Sequence, residues 1–334
     1  MTPGRIDEIL RRIRSIRVAV IGDFCLDAYW RLDTGTPEIS LETGKPTRAV
    51  RSQRSSPGGA GNVAANLVAL GAGTVRAFGV TGPDMFGREL VLQLQERGVE
   101  TSGMLIQSRG WDTPVYAKPY AGGTEQERID FGRWNAPAPG TETALSAALR
   151  SALPSLDAVV VNQQLDSGIM SVTMIQSLNA IARERPGALF VLDSRTMSGA
   201  FTGMVCKMNA AEASRLARPS GRAGGILPPA AFRSSVRAIA ERTGKAVFVT
   251  RGAGGILVFD GSRFFDLPAI PVPGPVDSVG AGDTAFSAIA ASLAAGASFE
   301  EAGAMGNLAA AVSVRKVGET GTATEEEIRA VASQ

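Results

Sequence analysis

Short apolar runs rich in β-branched residues alternate with longer stretches of helical period along most of this chain, and that alternation restricts the fold more than any other feature. Residues 17–22 (RVAVIG) predict a buried strand ending in glycine. Residues 60–70 predict a helix closed by Gly71, and 74–80 the next strand. Residues 84–97 predict a helix with Asp84 near its start and Gly98 past its end. Further strands are predicted at 158–161, 189–192, 246–250 and 255–259, and helices at 168–182, 210–216 and 232–242. Helices at 281–295, 299–315 and 325–332 close the chain. Such a rhythm demands an α/β fold, a mostly parallel central sheet flanked by helices on both faces.

Two stretches break the rhythm. Residues 27–57 are polar and rich in Thr, Ser, Gly and Pro, and residues 102–131 hold short strand patterns at 104–108, 115–120 and 128–131 joined by turns such as Gly122-Gly123. Both read as excursions from a single domain over residues 1–334, together forming a small β-sheet lid of the kind that covers active sites. Residues 219–229, rich in Pro and Gly, read as a mobile surface loop.

Composition narrows the chemistry. The 34 Lys and Arg against 32 Asp and Glu leave a formal charge of +2, without the concentrated basic surface of a nucleic-acid binder. The chain has no histidine, so Ser-His-Asp and Cys-His catalysis and histidine zinc motifs are excluded. Its two cysteines, Cys25 and Cys206, read as small core residues in a reducing compartment. The Arg-rich N-terminus leads into no apolar signal segment, and residues 281–297 are too short and polar to span a bilayer. The expectation is a cytoplasmic protein with no membrane partner.

Five segments are able to carry chemistry. In Asp277-Ser-Val-Gly-Ala-Gly-Asp283-Thr284 two glycines precede an apolar helix, so inward backbone amides and the helix N-terminus form an anion hole beside Asp283. That carboxylate is either a general base for an attacking hydroxyl or simply the helix cap. Pro57-Gly-Gly-Ala-Gly-Asn62 also leads into a helix, with glycines that admit a ligand and an amide suited to hydroxyl groups; a plain turn is the other reading, since neither Rossmann spacing nor a Walker lysine is present. Asp27 follows the first strand, where it would grip sugar hydroxyls, whereas Asp23 reads as the cap of a turn. Asn209-Ala-Ala-Glu212 fits a capping box or a water-mediated Mg²⁺ contact. Thr250-Arg-Gly252-Ala-Gly-Gly255 is a phosphate cradle or an ordinary hairpin.

Taken together and in this order, the segments resemble the ribokinase-like (phosphofructokinase-B type) carbohydrate kinases. The likeness runs from Val18 to about Thr324 and includes two diagnostic motifs, Gly-Gly-x-Gly-Asn at 58–62 and Asp-x-x-Gly-Ala-Gly-Asp at 277–283. It implies a ribokinase-like fold and phosphoryl transfer from ATP, with Mg²⁺, to a sugar hydroxyl. It further implies Asp283 as base and the amides of Gly280, Ala281 and Gly282 as anion hole. Asp27, Gly58, Gly59 and Asn62 would bind the acceptor, Asn209 and Glu212 would serve Mg²⁺ (Glu212 through water) and ATP phosphates, and Thr250, Gly252, Gly255, Asn307 and Arg195 would line the nucleotide site. A monovalent cation is left open as a further ligand, and the lid edges suggest pairing into a homodimer.

Within that family, Gly22-Asp-Phe-Cys-Leu-Asp-Ala-Tyr-Trp30, the segment 57–66 and the lid segment 113–130 are similar to the heptose 7-phosphate kinases, which implies D-glycero-β-D-manno-heptose 7-phosphate as acceptor and the 1,7-bisphosphate as product. The sequence reads as ending without the adenylyltransferase domain that some of these kinases carry. Ribose, fructose, a fructose phosphate or a nucleoside are the alternative acceptors, and a sugar-binding regulator without turnover is the alternative of another class. The chain departs from the heptose pattern at Asn162-Gln163-Gln164, at Asp193-Ser194-Arg195, and at Lys118 where an arginine is usual. Lys118, Arg128 or Arg195 would hold a distal substrate phosphate, with Lys118 preferred.

Overall fold

The structure, a computed structural model, describes residues 1–217, 228–318 and 320–333. Its elements begin with α1 (Pro3–Ile13), β1 (Arg17–Gly22), β2 (Phe24–Leu32), β3 (Val50–Gly59), α2 (Ala60–Ala69), β4 (Thr74–Thr81), α3 (Met85–Glu96) and β5 (Glu100–Ile106). There follow β6 (Val115–Ala121), β7 (Thr124–Glu125), β8 (Ile129–Phe131), α4 (Thr141–Ala152), β9 (Ala158–Gln163), α5 (Val172–Glu184), β10 (Leu189–Ser194), β11 (Val205–Asn209) and α6 (Ala210–Leu216). The chain closes with α7 (Pro229–Thr243), β12 (Val247–Thr250), β13 (Ile256–Phe259), β14 (Phe264–Leu267), α8 (Ala281–Ala294), α9 (Phe299–Ser313) and α10 (Glu325–Ala332).

Nine strands form the central sheet in the order β14-β13-β12-β11-β10-β9-β1-β4-β5. Neighbours are parallel except where β13 runs against β12 and β14. The strands are apolar on both sides because both sides are covered. Val18 and Val20 of β1 pack into one core with α1, α2, α3, α8, α9 and α10, and Ala19 and Ile21 into a second core with α4 to α7. From β1 the chain goes to β4 on one side and returns through β9 on the other. The loops beyond β1 and β9 therefore diverge and leave a crevice at their carboxyl ends.

The lid is a separate sheet in the order β3-β2-β6-β7, with β8 also on β6. β2 is antiparallel to β3 and parallel to β6. Only Asp23 separates β1 from β2, so the lid grows directly out of the central strand.

Three features differ from expectation. The strand expected at 104–108 in the lid lies instead in β5, at the edge of the central sheet, where Met104 and Leu105 pair with Gly79 and Val80 of β4. Gly103 permits this approach, since a Cβ there would meet the Phe78 ring at 2.6 Å. The Arg-rich N-terminus is helical: Thr2 caps α1, and Ile6, Ile9, Leu10 and Ile13 form a buried stripe that its charges obscure. Helix α4 was also unexpected, and it buries Leu145 and Leu149. The loop expected at 219–229 lies, apart from its last two residues, outside the described residues. Among the described residues no helix is long and apolar enough to cross a membrane.

Candidate active site

Asp23 sets the floor of the crevice. Its carboxylate accepts hydrogen bonds from the backbone N–H groups of Gln164 (2.8 Å), Leu165 (2.9 Å) and Ile169 (2.9 Å). It is the turn cap that its position after a strand predicts, joining the loop after β9 to the end of β1. Burial pushes its pKa up to about 6, against the pull of those three donors.

The Gly58-Gly59 pair brings β3 against β2. A Cβ on Gly58 would lie 2.7 Å from Asp27 Oδ2, and one on Gly59, whose φ is +54°, would lie 2.5 Å from the Asp23 carbonyl. The pair thus leaves room for the Asp27 carboxylate against β3. Lys118, opposite Tyr29 on β6, reaches Asp27 Oδ1 at 2.9 Å. Burial alone would lower the Lys118 pKa, but the bond to Asp27 outweighs it and the ammonium is held charged.

Asn62 and Asp283 come together from two helix N-termini. Asn62, on α2, donates from Nδ2 to Asp283 Oδ2 at 2.8 Å, and Asn66 one turn on fixes Asn62 by donating to its carbonyl (2.9 Å) and Oδ1 (3.1 Å). Gly280, with φ +78°, caps α8 and faces Asn62. Of the three amides expected to form an anion hole, that of Ala281 is bonded to Ser278 O (3.2 Å), while those of Gly280 and Gly282 have no backbone partner among the described residues; nor has that of Asp283. Burial pushes the Asp283 pKa up to about 6; neighbouring Asp193 adds to this, and Asn62 and Lys207 oppose it.

Beyond the α8 N-terminus the remaining motifs form a second group. Asn209 and Glu212 close a full capping box at α6. Glu212 Oε2 accepts the Asn209 N–H at 2.8 Å, and burial raises the Glu212 pKa. Thr250 pairs with Asn209 across β11 and β12. Gly252 and Gly255 both have positive φ, and Gly255 lies so close to the 267–269 segment that a Cβ would be 2.1 Å from Leu267 O. Asn307 on α9 donates to Leu267 O (3.2 Å) and Pro268 O (3.0 Å), so its amide anchors that same segment. Arg195 follows β10, and its carbonyl accepts from Arg215. Arg128 is spent on Asp130 (2.6 Å) and stacks on Tyr116 (4.3 Å).

Sequence reasoning noted Asn162 and Asp193 only as departures from the heptose pattern and missed Lys207, which joins them in a polar row across three strands. Asn162, Asp193 and Lys207 occupy paired positions on adjacent strands β9, β10 and β11. Lys207 Nζ bonds Asp193 Oδ2 at 2.7 Å with both side chains buried, and it lies 3.4 Å from where a Cβ on Gly282 would be. A single lysine within the otherwise apolar run of residues 204–208 was the available signal. Tyr29 was also missed: its hydroxyl meets Thr320 Oγ1 at 3.2 Å and ties the lid to the loop that packs on Gly280.

Comparison with known proteins identifies the family and the fold. The chain is 31% identical over 318 residues to the bifunctional protein HldE of Desulfatibacillum aliphaticivorans, and 33% identical over 316 residues to that of Azotobacter vinelandii. These matches cover 95% and 93% of this chain but only 63% and 62% of the relatives, so the chain spans less than two thirds of their length. The fold is shared with Arabidopsis thaliana ribokinase complexed with ribose and ATP (TM-score 0.71, 18% identity, covering 96% of this chain and 99% of that one). It is shared also with Escherichia coli phosphofructokinase-2 in complex with substrates and products (TM-score 0.73, 20% identity, covering 95% and 99%). The profile of the pfkB family carbohydrate kinases matches residues 16–326, and with both glycine motifs in place around one crevice this chain belongs to that family.

Proposed function

We propose that this protein transfers the γ-phosphoryl group of ATP to a hydroxyl of a sugar phosphate, and that the acceptor is D-glycero-β-D-manno-heptose 7-phosphate, giving the 1,7-bisphosphate. The observation that carries the transfer reaction is the Asn62–Asp283 pair at a helix N-terminus with open amides. The heptose acceptor is favoured by the segments that resemble heptose 7-phosphate kinases and by the HldE relatives.

In this reading the acceptor hydroxyl lies against Asp283, whose carboxylate takes its proton as the oxygen attacks phosphorus. Asn62 holds the carboxylate and keeps one oxygen directed at the acceptor. The Gly280–Gly282 turn and the positive end of α8 receive charge on the transferring group. Asp27, with Gly58 and Gly59, orients the sugar. Thr250, Gly252 and Gly255 cradle the nucleotide phosphates, with Asn307 bracing the adjoining segment and Arg195 on the same side. Glu212 fits a bound Mg²⁺ through water, because its Oε2 is taken by the cap and Mg²⁺ keeps much of its water shell. Bound there, Mg²⁺ would neutralise phosphate charge. Lid closure over the sugar excludes water from the transfer.

The test is ADP release with heptose 7-phosphate, fructose 6-phosphate, ribose, fructose and a nucleoside side by side. Acceptor-dependent release, strongest with the heptose phosphate, is expected. Release that no acceptor stimulates sinks the kinase reading, and sugar binding without release would identify a regulator. In the same assay Asn62→Ala lowers kcat/KM for the acceptor about 10–100-fold, because it removes the hydrogen bond to the charged Asp283 carboxylate. The KM for ATP stays unchanged; a loss of ATP affinity alone would move Asn62 to the other substrate.

The reading includes a homodimer. β3 is an edge of the lid sheet, and behind it Leu26, Ala28 and Trp30 line a groove of about 640 Å³ with Met85 and Leu92 of α3, the last two 66% and 50% exposed. A solution mass of two chains is expected, and a monomer at micromolar concentration contradicts it.

A further inference from the structure

The lid turns one face toward Asp283, and the charges on that face are not alike. Alternation along β2 places Asp27, Tyr29 and Arg31 on it, and register adds Tyr116, Lys118 and Tyr120 from β6 and Arg54 from β3. Near the acceptor end the cations are neutralised: Lys118 by Asp27 at 2.9 Å and Arg128 by Asp130 at 2.6 Å. Farther out, Arg51 is paired with Asp33 at 2.8 Å, and Glu125 accepts from the Tyr120 hydroxyl at 2.8 Å. Arg31 and Arg54 have no carboxylate partner among the described residues. The Arg54 guanidinium lies over the Tyr29 ring at 4.1 Å and donates only to Gly318 O, and the Arg31 side chain makes no hydrogen bond or ion pair among the described residues.

These two residues are diagonal neighbours on adjacent strands, Arg54 opposite Tyr29 and Arg31 two positions beyond. Diagonal partners stand about 7–8 Å apart at the backbone, within which two like charges repel unless an anion lies between them. Both line one cavity of about 750 Å³ together with Tyr29, Tyr120 and Gly318. Tyr29 is two residues from Asp27, about 7 Å along the strand, and Arg31 about 13 Å. This is the scale of a sugar carbon chain whose reacting hydroxyl is held at Asp27 and Asp283.

We propose that the outer end of the lid seats a phosphate carried by the acceptor, gripped by Arg31 and Arg54, and that these two residues select a phosphorylated sugar over a free one. The proposal rests on the kinase reading and replaces Lys118, which Asp27 occupies, as the phosphate ligand. Arginine suits the task because its planar fork matches two phosphate oxygens at once. Arg54 also donates to Gly318 O, whereas the Arg31 side chain has no such contact among the described residues, so Arg31 reports on the ligand alone.

The experiment compares heptose 7-phosphate with the dephosphorylated heptose, and fructose 6-phosphate with fructose, as acceptors for the wild type, Arg31→Gln, Arg54→Gln and Arg54→Lys, with thermal midpoints checking the fold. Each Gln variant raises the KM for the phosphorylated sugars about 10–100-fold. Values for the free sugars and for ATP stay within twofold, and Arg54→Lys recovers part of the loss. Equal loss on phosphorylated and free sugars, no loss in Arg31→Gln, or a wild type that prefers the free sugar overturns the proposal while leaving the kinase reading intact. If no acceptor stimulates ADP release, the kinase reading is what fails, and calorimetric titration of heptose 7-phosphate against heptose decides the phosphate seat. Tighter binding of the phosphate ester that is lost in Arg31→Gln upholds the seat, and equal binding of the two removes it.

Discussion

Asp283→Asn lowers kcat by roughly 10²–10⁴-fold, the range expected when a positioned base is removed, and at the same time stabilises the fold. The two effects have one origin. Burial raises the Asp283 pKa to about 6, so the native state holds this proton more tightly than the unfolded chain does. That contribution favours folding in full below about pH 4 and is lost as pH rises through about 6. At pH 7.5 the buried charge therefore costs the native state, by about 1–2 kcal/mol after allowance for the open cleft. An Asn carries no such charge, so the variant gains that amount at pH 7.5 and loses the gain near pH 4. Denaturant midpoints at the two pH values and steady-state ADP release measure both effects. Unchanged turnover, or stability equal to wild type at both pH values, contradicts the assignment.

Lys207→Met acts in the opposite direction. Lys207 and Asp193 form a 2.7 Å pair with both side chains buried, and burial disfavours the ammonium while Asp193 holds it charged. Removing the cation leaves a buried carboxylate without its partner, which costs about 3–5 kcal/mol, whereas replacing both members by apolar groups of similar volume is close to neutral. Chemical denaturation of Lys207→Met, Asp193→Leu and the double variant resolves this: the double variant is expected to recover most of the loss. A Lys207→Met protein as stable as wild type would show that the pair carries no such penalty. The single variant also raises the Asp283 pKa further, because Lys207 is among the groups that hold it down.

The central sheet was legible because its strands are covered on both sides, so runs such as residues 18–21 are apolar without interruption. The same logic explains what was not. α1 carries three arginines, Arg5, Arg11 and Arg12, and its buried stripe of Ile6, Ile9, Leu10 and Ile13 is about one residue in three among charges. β5 follows Gly98 like any strand of a βαβ unit, but its neighbour in sequence is the lid, and nothing local marks which sheet it joins; pairing with Gly79 and Val80 decides. The glycine turns before α2 and α8, and the place of Asp283 in the first turn of α8, were legible because unusual backbone leaves an unusual sequence. Lys207 and Tyr29 were not, since each acts through a partner distant in sequence: Asp193 on the neighbouring strand, and Thr320 nearly three hundred residues on.

The proposal that Asp283 accepts the proton is tested most directly by the pH dependence of kcat/KM for the acceptor, measured in the wild type and in Asn62→Ala. An acid limb centred at about 6 is expected from the raised carboxyl, and it moves to higher pH in Asn62→Ala because the Asn62 amide lowers the Asp283 pKa. Substrate phosphate groups titrate alike with both proteins, so the displacement belongs to the enzyme. A limb that stays in place when Asn62 is removed, or a rate independent of pH down to about 4, contradicts a base at Asp283.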